Sequence, residues 1–269
     1  MIRHRLGIAT LLMVFPSAPL FAAGPLAVAV DEKTQSYTIT EQGRPVLTYR
    51  FGEVPLPTGV EASHFSKGDT PYNGAYFTDG SRFGGERSDY IHPLYGFHGE
   101  PLTADYPQDH LHHRGLWWSW CEVRHNDKIG DIWAVCKIRA YPVKITKIET
   151  GADQAVLQAV NVWRYDDDPT DVVNETVTIR ASKTEAAAGV RSRTVDVDVR
   201  LEALVDGIAI AGRQKVDYGG YGGMTVRLNP QVKEFSIRAV HPHPDQWRGD
   251  DLAIVERVSD RAAHGDSTW

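Results

Sequence analysis

The densest group of residues in this chain that could do chemistry lies in one short segment, with the sequence Asp109-His110-Leu111-His112-His113-Arg114-Gly115. Imidazole titrates near neutral pH, so clustered histidines can transfer protons, and imidazole is also the commonest nitrogen ligand for zinc, copper and iron. In a turn, the three imidazoles could converge. Asp109 could fix the tautomer of one ring, and Arg114 offers a permanent positive charge for a carboxylate or a developing oxyanion. The candidate catalytic residues are therefore Asp109, His110, His112, His113 and Arg114.

Residues on either side of this segment could bind a substrate. Three indole rings follow it closely, and they supply flat apolar faces of the kind on which sugars stack. Arg227 follows a glycine-rich stretch at residues 217–223, which is typical of a turn or bulge between strands. The candidate substrate-binding residues are His92, Glu100, Trp117, Trp118, Trp120 and Arg227. Two further acidic residues, Glu122 and Glu175, are expected to be solvated surface charges.

The histidine cluster has two other interpretations. It can be a hydrogen-bonded network that closes a loop, and the tryptophans would then lie on a strand that packs large side chains into the core. It can also bind a metal, although His-x-His-His without a distant carboxylate ligand is only moderately specific for a metal site. A divalent metal is therefore an open alternative, and no other cofactor is indicated.

The elements that must position these residues are predicted to be strands. Residues 195–201 show the clearest pattern, because valines and a leucine alternate there with charged residues, as on a strand with one buried face. Residues 41–45 are typical of a hairpin connection, and residues 181–188 are the best, though weak, helical candidate. Residues 51–108 are expected to be long loops with short strands. The other predicted strands are 37–40, 46–51, 137–148, 155–163, 172–179 and 208–217.

Many strands separated by Gly, Pro and Asp turns predict an all-β fold, a large antiparallel β-sandwich. The chain has 269 residues, 42% of them hydrophobic, which is enough for a sizeable core. We expect residues 24–269 to form a single β-sandwich domain. Cys121 and Cys136 are too few for a disulfide scaffold, and they are either bonded to each other or two buried unpaired thiols.

The N-terminus predicts export. Residues 1–23 have a basic start, a short apolar run and a small-residue exit, which is the pattern of a secretory signal peptide, so we expect a periplasmic or secreted protein. No later run reaches the roughly 18 apolar residues of a membrane helix. The formal charge of −6, with no cluster of lysines and arginines, disfavours nucleic acid. The expected partner is a small molecule or a glycan, and the sequence does not indicate an oligomeric state.

Several motifs together resemble the exported bacterial PmoA-like family, which is carried under the name methane oxygenase PmoA. The motifs are Tyr90-Ile91-His92-Pro93-Leu94-Tyr95, Gly99-Glu100, the histidine segment, Trp120 and Gly222-Gly223-Met224-Thr225-Val226-Arg227. The resemblance covers the chain from about Tyr49 to its end, and it matches the family's recurrent features at His110, His113, Arg114, Gly223 and Arg227.

The resemblance implies an exported β-sandwich that is similar to the galactose-mutarotase-like supersandwich. It also implies a further C-terminal block, so we expect this domain to be incomplete at its C-terminus. The activity in the family's name is not carried over, because a membrane monooxygenase subunit is a bundle of transmembrane helices and this chain has no such segment.

The leading hypothesis is an enzyme that acts on a carbohydrate or a sugar-derived substrate through the histidine–arginine cluster, of the hydrolase, lyase or epimerase type. Two alternatives remain open at this stage. One is a noncatalytic carbohydrate-binding module, and the other is a metal-dependent oxygenase or hydrolase.

Overall fold

Strands account for all the regular secondary structure in the described part of the chain. The computed structural model describes residues 25–59, 85–107, 110–212, 222–232, 236–237 and 257–258, and these residues include no helix. The strands are β1 Leu26–Asp31, β2 Ser36–Glu41, β3 Arg44–Arg50, β4 Tyr90–Leu94, β5 Leu116–Trp120, β6 Glu122–His125, β7 Lys128–Gly130, β8 Ile138–Glu149, β9 Gln154–Tyr165, β10 Val173–Ser182, β11 Glu185–Ala187, β12 Val190–Ser192, β13 Val195–Ala203, β14 Ala209–Ala211, β15 Gly222–Val226, β16 Ser236–Ile237 and β17 Arg257–Val258. The prediction of an all-β fold is confirmed.

Two antiparallel sheets form the layers of a sandwich. The larger sheet has six strands in the order β1-β2-β3-β4-β5-β15, and the second has four in the order β13-β10-β9-β8. Buried side chains of both sheets make one hydrophobic cluster. It includes Leu26, Ile39, Leu47 and Ile91 from the first sheet and Leu157, Val177 and Ile179 from the second. This shared core shows that the sheets pack face to face, as in a β-sandwich.

The alternation of residue types correctly predicted most strands of both sheets. On β13, Val195, Val197 and Val199 are partly buried and pack against the shared core, while the residues between them are exposed. The β2–β3 connection is the predicted hairpin, with positive φ angles at Gln42 and Gly43 (51° and 77°).

A smaller sheet has three strands in the order β14-β6-β7. It contributes Val123 to a second buried cluster, in which Ile132, Trp163 and Tyr165 also lie. A third cluster contains Tyr90, Trp117 and Trp133 and lies beneath the candidate site. The remaining two-stranded sheets are β11-β12 and β16-β17.

One local prediction was wrong. Residues 181–188, the helical candidate, form the end of β10 and the strand β11, since Ala181 pairs with Val195 and Ala187 with Val190. Within the predicted strand 208–217, the described residues contain β14 at Ala209–Ala211, and residues 213–217 lie outside the described part of the chain.

Both cysteines are buried and no disulfide joins them, so the bonded alternative is wrong. Burial raises the pKa of Cys121, which makes its thiolate scarce at neutral pH. None of the described segments forms a helix that is long and apolar enough to cross a membrane. The predicted signal peptide lies outside the described residues.

Candidate functional site

The three histidines of the motif lie together on one turn. The backbone N–H of His113 donates to the carbonyl of His110 at 2.9 Å, which closes the turn just before β5. The ring centroids of His110 and His113 are 4.6 Å apart, those of His112 and His113 are 4.7 Å apart, and those of His110 and His112 are 5.8 Å apart. We call these three side chains the imidazole cluster.

The imidazole cluster has a buried side and an open side. His113 is only 6% exposed, and its ring lies 5.2 Å from the ring of Trp117 and 6.2 Å from that of Trp133. His110 and His112 are partly exposed. Two imidazoles are therefore held at the surface by a third that packs into the core.

Two further expectations for this cluster concern Asp109 and a bound metal. Asp109, the expected tautomer-fixing residue, lies outside the described residues, so its role stays a prediction. Within the described residues, no group of three or more His, Cys, Asp or Glu side chains has an arrangement that could hold a metal ion. The described histidines therefore give the metal alternative no geometric support.

Arg114 has a different role from the one predicted. Its side chain is 1% exposed, its Nε lies 2.7 Å from Oδ1 of Asp105, and its Nη2 donates to the hydroxyl of Tyr90 at 3.1 Å. Its guanidinium carbon is 3.3 Å from the ring centroid of Tyr106. The guanidinium is thus enclosed by an ion pair and two tyrosines. The prediction that Arg114 stabilises a substrate's charge is wrong for this conformation, because no face of the guanidinium is open to a ligand.

The tryptophans likewise belong to the core. Trp117 and Trp118 on β5 are 0% and 4% exposed, so neither offers a face on which a sugar could stack. Trp120 is partly buried against the second cluster, with its ring 5.8 Å from that of Trp163. The predicted stacking platform is wrong for Trp117 and Trp118, because β5 is a central strand with both faces covered. Of the three, only Trp120 is partly exposed.

The other predicted binding residues are spread along two strands and a loop. His92 on β4 is partly buried and hydrogen-bonded through Nδ1 to Oγ1 of Thr103 at 3.0 Å, and burial lowers the pKa of its ring. The backbone N–H of Arg227 donates to the carbonyl of Gly115 at 2.7 Å, which places it beside the start of β5. Glu100 is exposed on the loop after β4, away from the imidazole cluster.

A buried polar network between the sheets was missed at the sequence level. The indole N–H of Trp118 lies 3.1 Å from Oδ2 of Asp89 and 3.1 Å from Oε1 of Glu175. The hydroxyl of Tyr49 donates to Asp89 at 2.6 Å, and the indole N–H of Trp163 donates to Glu175 at 2.8 Å. We call Asp89 and Glu175 the carboxyl pair; they are 5% and 1% exposed.

The expectation that Glu175 and Glu122 are surface charges is wrong. Glu175, Val177 and Ile179 are two positions apart on β10, so they share one face of the strand, and that face is the core. A glutamate among valines and isoleucine on the buried face was therefore a readable signal. Glu122 is 4% exposed and paired with Arg124.

Burial makes ionisation of Glu175 in the carboxyl pair unfavourable. Burial, and then the neighbouring charge of Asp89, raise the pKa of Glu175 well above its ordinary value. A protonated Glu175 can donate a hydrogen bond to the neighbouring Asp89. The adjoining cavity measures about 20 Å³, which has room for one water and not for a sugar. The carboxyl pair is therefore part of the frame and not a substrate site.

A buried arginine fixes the loop that supports the imidazole cluster. Arg87 donates to the carbonyls of Ile132 and Trp133, both at 2.9 Å, and burial lowers the pKa of its guanidinium to about 10. Trp133 in turn packs against His113. Burial raises the pKa of Asp131, in the same loop, to about 7.

Comparison with known proteins identifies a family whose function is not known. A search of curated proteins and a search of solved structures found no match. A family model described as a family of unknown function, DUF6807, matches residues 36–252, which include the imidazole cluster, Arg114 and the carboxyl pair. The resemblance to the PmoA-like family stays a prediction, because that description does not mention it. The match spans most of the chain, and the protein therefore belongs to the DUF6807 family.

Proposed function

We propose that this protein is an exported acid–base enzyme that acts on a carbohydrate or sugar-derived substrate, with His110 and His112 exchanging protons with that substrate. The observation that carries the proposal is the imidazole cluster, in which two partly exposed rings are held beside a buried third ring. A neutral imidazole accepts a proton and a protonated one donates it. Two adjacent rings at the surface can therefore serve as base and acid in one turnover.

The surrounding residues support this division of roles. His113 is buried against Trp117 and Trp133, so we infer that it positions its neighbours and does not meet the substrate. Arg114, with Asp105 and Tyr106, fixes the chain directly after the cluster. A rigid frame of this kind keeps the catalytic side chains near one geometry, which is what proton transfer requires.

The substrate class is inferred from the fold and from the family resemblance. The β-sandwich and the resemblance to the PmoA-like family both favour a sugar, as an analogy of fold and setting. Epimerases remove a proton from a carbon beside a carbonyl or carboxyl group and return a proton to the opposite face of that carbon, whereas lyases remove such a proton and protonate the leaving group. Their reactions need a base and an acid on one surface, as His110 and His112 provide.

Solvent deuterium exchange tests the proposal before the reaction is identified. The purified full chain is incubated in deuterium oxide with panels of keto-sugars, acidic sugars and glycans, and exchange and product formation are followed by proton NMR. With a responding substrate, His110→Ala and His112→Ala should each lower the rate about 10²–10⁴-fold. His125→Ala is the matched control, because His125 lies at the end of β6 outside the cluster.

The outcomes separate the alternatives. Unchanged turnover in both His110→Ala and His112→Ala would remove the catalytic assignment. Calorimetric binding of a glycan without product or exchange would replace the enzyme by a noncatalytic binding module. A stoichiometric metal in protein purified from its native compartment, lost in the same variants, would favour the metal-dependent alternative.

A further inference from the structure

Two adjoining cavities lie at the tip of the loop that follows β4. The backbone N–H of Gly99 donates to the carbonyl of Gly96 at 3.1 Å, and this turn projects Phe97 and His98 from the sheet. A polar cavity of about 610 Å³ and a more apolar cavity of about 360 Å³ share Gly96, Phe97 and Arg193 as lining residues. Volumes of this size are typical of small-molecule sites.

The polar cavity carries an excess of positive charge. Arg44, Arg191 and Arg193 line it together with a single carboxylate, Glu41. Glu41 is already satisfied, because it accepts from Nη2 of Arg193 at 2.7 Å and from the backbone N–H of Thr184 at 2.6 Å. Partial burial opposes ionisation of Glu41, but these bonds outweigh it and lower its pKa.

The guanidiniums of Arg44 and Arg191 could bind an anion. Arg44 and Arg191 are exposed, and among the described residues neither forms a salt bridge with a carboxylate. Arg191 is nonetheless held in place, since its guanidinium carbon lies 4.8 Å from the ring centroid of Phe97 and its Nη2 lies 3.4 Å from Nε2 of His98. A guanidinium that is positioned in this way, with no carboxylate partner among the described residues, is suited to bind a carboxylate through paired hydrogen bonds.

The second cavity supplies the apolar half of a site. Its lining includes Val46, Leu94, Leu102 and Val195, and Phe97 lines both cavities. Glu100 lies at its rim, and its carboxylate accepts the backbone N–H of His98 at 2.8 Å. A ligand with an apolar body and a negatively charged end would fit both cavities at once.

This place is distinct from the imidazole cluster. Tyr90, at the start of β4, is hydrogen-bonded to Asp105 beside Arg114, whereas Leu94, at its end, accepts the backbone N–H of Leu102. The turn at Phe97 therefore follows the end of β4 that is opposite Tyr90 and the imidazole cluster, and the two ends of this strand are about 13 Å apart. The inference does not rest on the proposed function.

We propose that the two cavities form a binding site for a small organic acid, whose carboxylate lies between Arg44 and Arg191 and whose apolar body packs beside Phe97 against Leu94, Leu102 and Val195. The charge excess of the polar cavity selects the anionic end, and the apolar lining selects a planar or hydrocarbon body.

Calorimetry and ligand-observed NMR on the full chain test this site with three probes. Cinnamate carries both parts of the proposed ligand, cinnamyl alcohol has the same body without the charge, and acetate has the charge without the body. We expect cinnamate to bind about tenfold or more tightly than either of the others, and its affinity to fall as salt is added. Equal binding of all three probes, or no binding of cinnamate, would overturn the proposal.

Variants locate the binding to these residues. Arg44→Gln and Arg191→Gln should each weaken cinnamate about tenfold. The matched control is Arg200→Gln, the same change at an exposed arginine of β13 outside both cavities. All three sites are exposed, so the thermal unfolding of each free variant should match the wild type. Wild-type affinity in both cavity variants refutes the site, and His110→Ala should leave binding intact.

Discussion

The indole N–H of Trp118 on β5 reaches Oε1 of Glu175 on β10 at 3.1 Å, so this hydrogen bond joins the two sheets of the sandwich in its interior. The same N–H lies 3.1 Å from Oδ2 of Asp89. Without this indole N–H, the carboxyl pair would still carry the free-energy cost of its burial, but it would lose one of the hydrogen-bond donors that offset this cost. The geometry predicts that this network governs both the stability of the fold and its dependence on pH.

Replacing Glu175 with glutamine should flatten the pH dependence of stability. Burial, then Asp89, raise the pKa of Glu175 in the folded protein above the value of 4.5 that an unfolded glutamate has. Such a group stabilises the fold below its unfolded pKa, and this contribution is lost as the pH rises towards the folded pKa. The free energy of unfolding should fall by up to about 1.4 kcal/mol per pH unit in the wild type, and less in Glu175→Gln.

Urea denaturation at a series of pH values above 4.5 measures this slope. Glu202→Gln on the exposed side of β13 is the control, and it should keep the wild-type slope. Identical slopes in Glu175→Gln and the wild type would show that Glu175 does not carry the raised pKa.

Trp118→Phe should cost more stability than Trp117→Phe. Both changes remove similar volume from neighbouring core positions, 4% and 0% exposed. Only Trp118 has hydrogen bonds to lose, because the indole N–H of Trp117 has no hydrogen-bond partner among the described residues. We expect Trp118→Phe to lower the free energy of unfolding, measured in urea, by about 1–3 kcal/mol more than Trp117→Phe does. An equal cost would mean that the indole bond to the carboxyl pair adds nothing.

Strand periodicity predicted the sandwich because it depends on local alternation. On β13 and β9, residues two apart share a face, and burial follows that pattern. The same rule, applied correctly to β10, would have placed Glu175 inside. Residues 181–188 looked helical because alanines favour a helix, but pairing with neighbouring strands overrides that propensity.

The site was predicted in part, since convergence of three histidines follows from a short turn within one segment. The roles of Arg114 and Trp118 depend on what packs over them, and no local pattern contains that information. Their partners Asp105 and Glu175 were hidden for the same reason: Glu175 lies 57 positions from Trp118. The pocket beside Phe97 joins three separate segments, so it was visible only in the fold.

The ion pair of Arg114 with Asp105 should behave as a structural unit. Arg114→Gln leaves a carboxylate that is 17% exposed without its partner, and Asp105→Asn leaves a guanidinium that is 1% exposed. Each single change should cost about 3 kcal/mol in the free energy of unfolding, and the double variant clearly less than the sum.

An exposed pair on the same protein provides the comparison for this double-mutant cycle. Arg139 and Asp166 are 26% and 41% exposed, so their coupling should be about 0–1 kcal/mol. If Arg114→Gln instead kept full stability and lost only turnover, Arg114 would act on the substrate after all.

Gly115→Ala should disrupt the candidate site, whereas Gly43→Ala should not. Both glycines have positive φ angles, 59° and 77°, so a side chain adds backbone strain of about 1 kcal/mol at each. At Gly43 a Cβ meets no atom within 4 Å. At Gly115 it would lie 2.1 Å from the carbonyl oxygen of Ile91, so β4 and the start of β5 must move apart.

Because Gly115 directly follows Arg114, that movement should also displace the imidazole cluster. Thermal unfolding and the imidazole proton signals in NMR measure the two effects separately. We expect Gly115→Ala to lose several times more stability than Gly43→Ala and to shift the histidine signals, which Gly43→Ala should leave in place. Equal losses in the two variants would show that the close approach of Gly115 to β4 is not what holds the cluster, and that backbone conformation alone sets the cost.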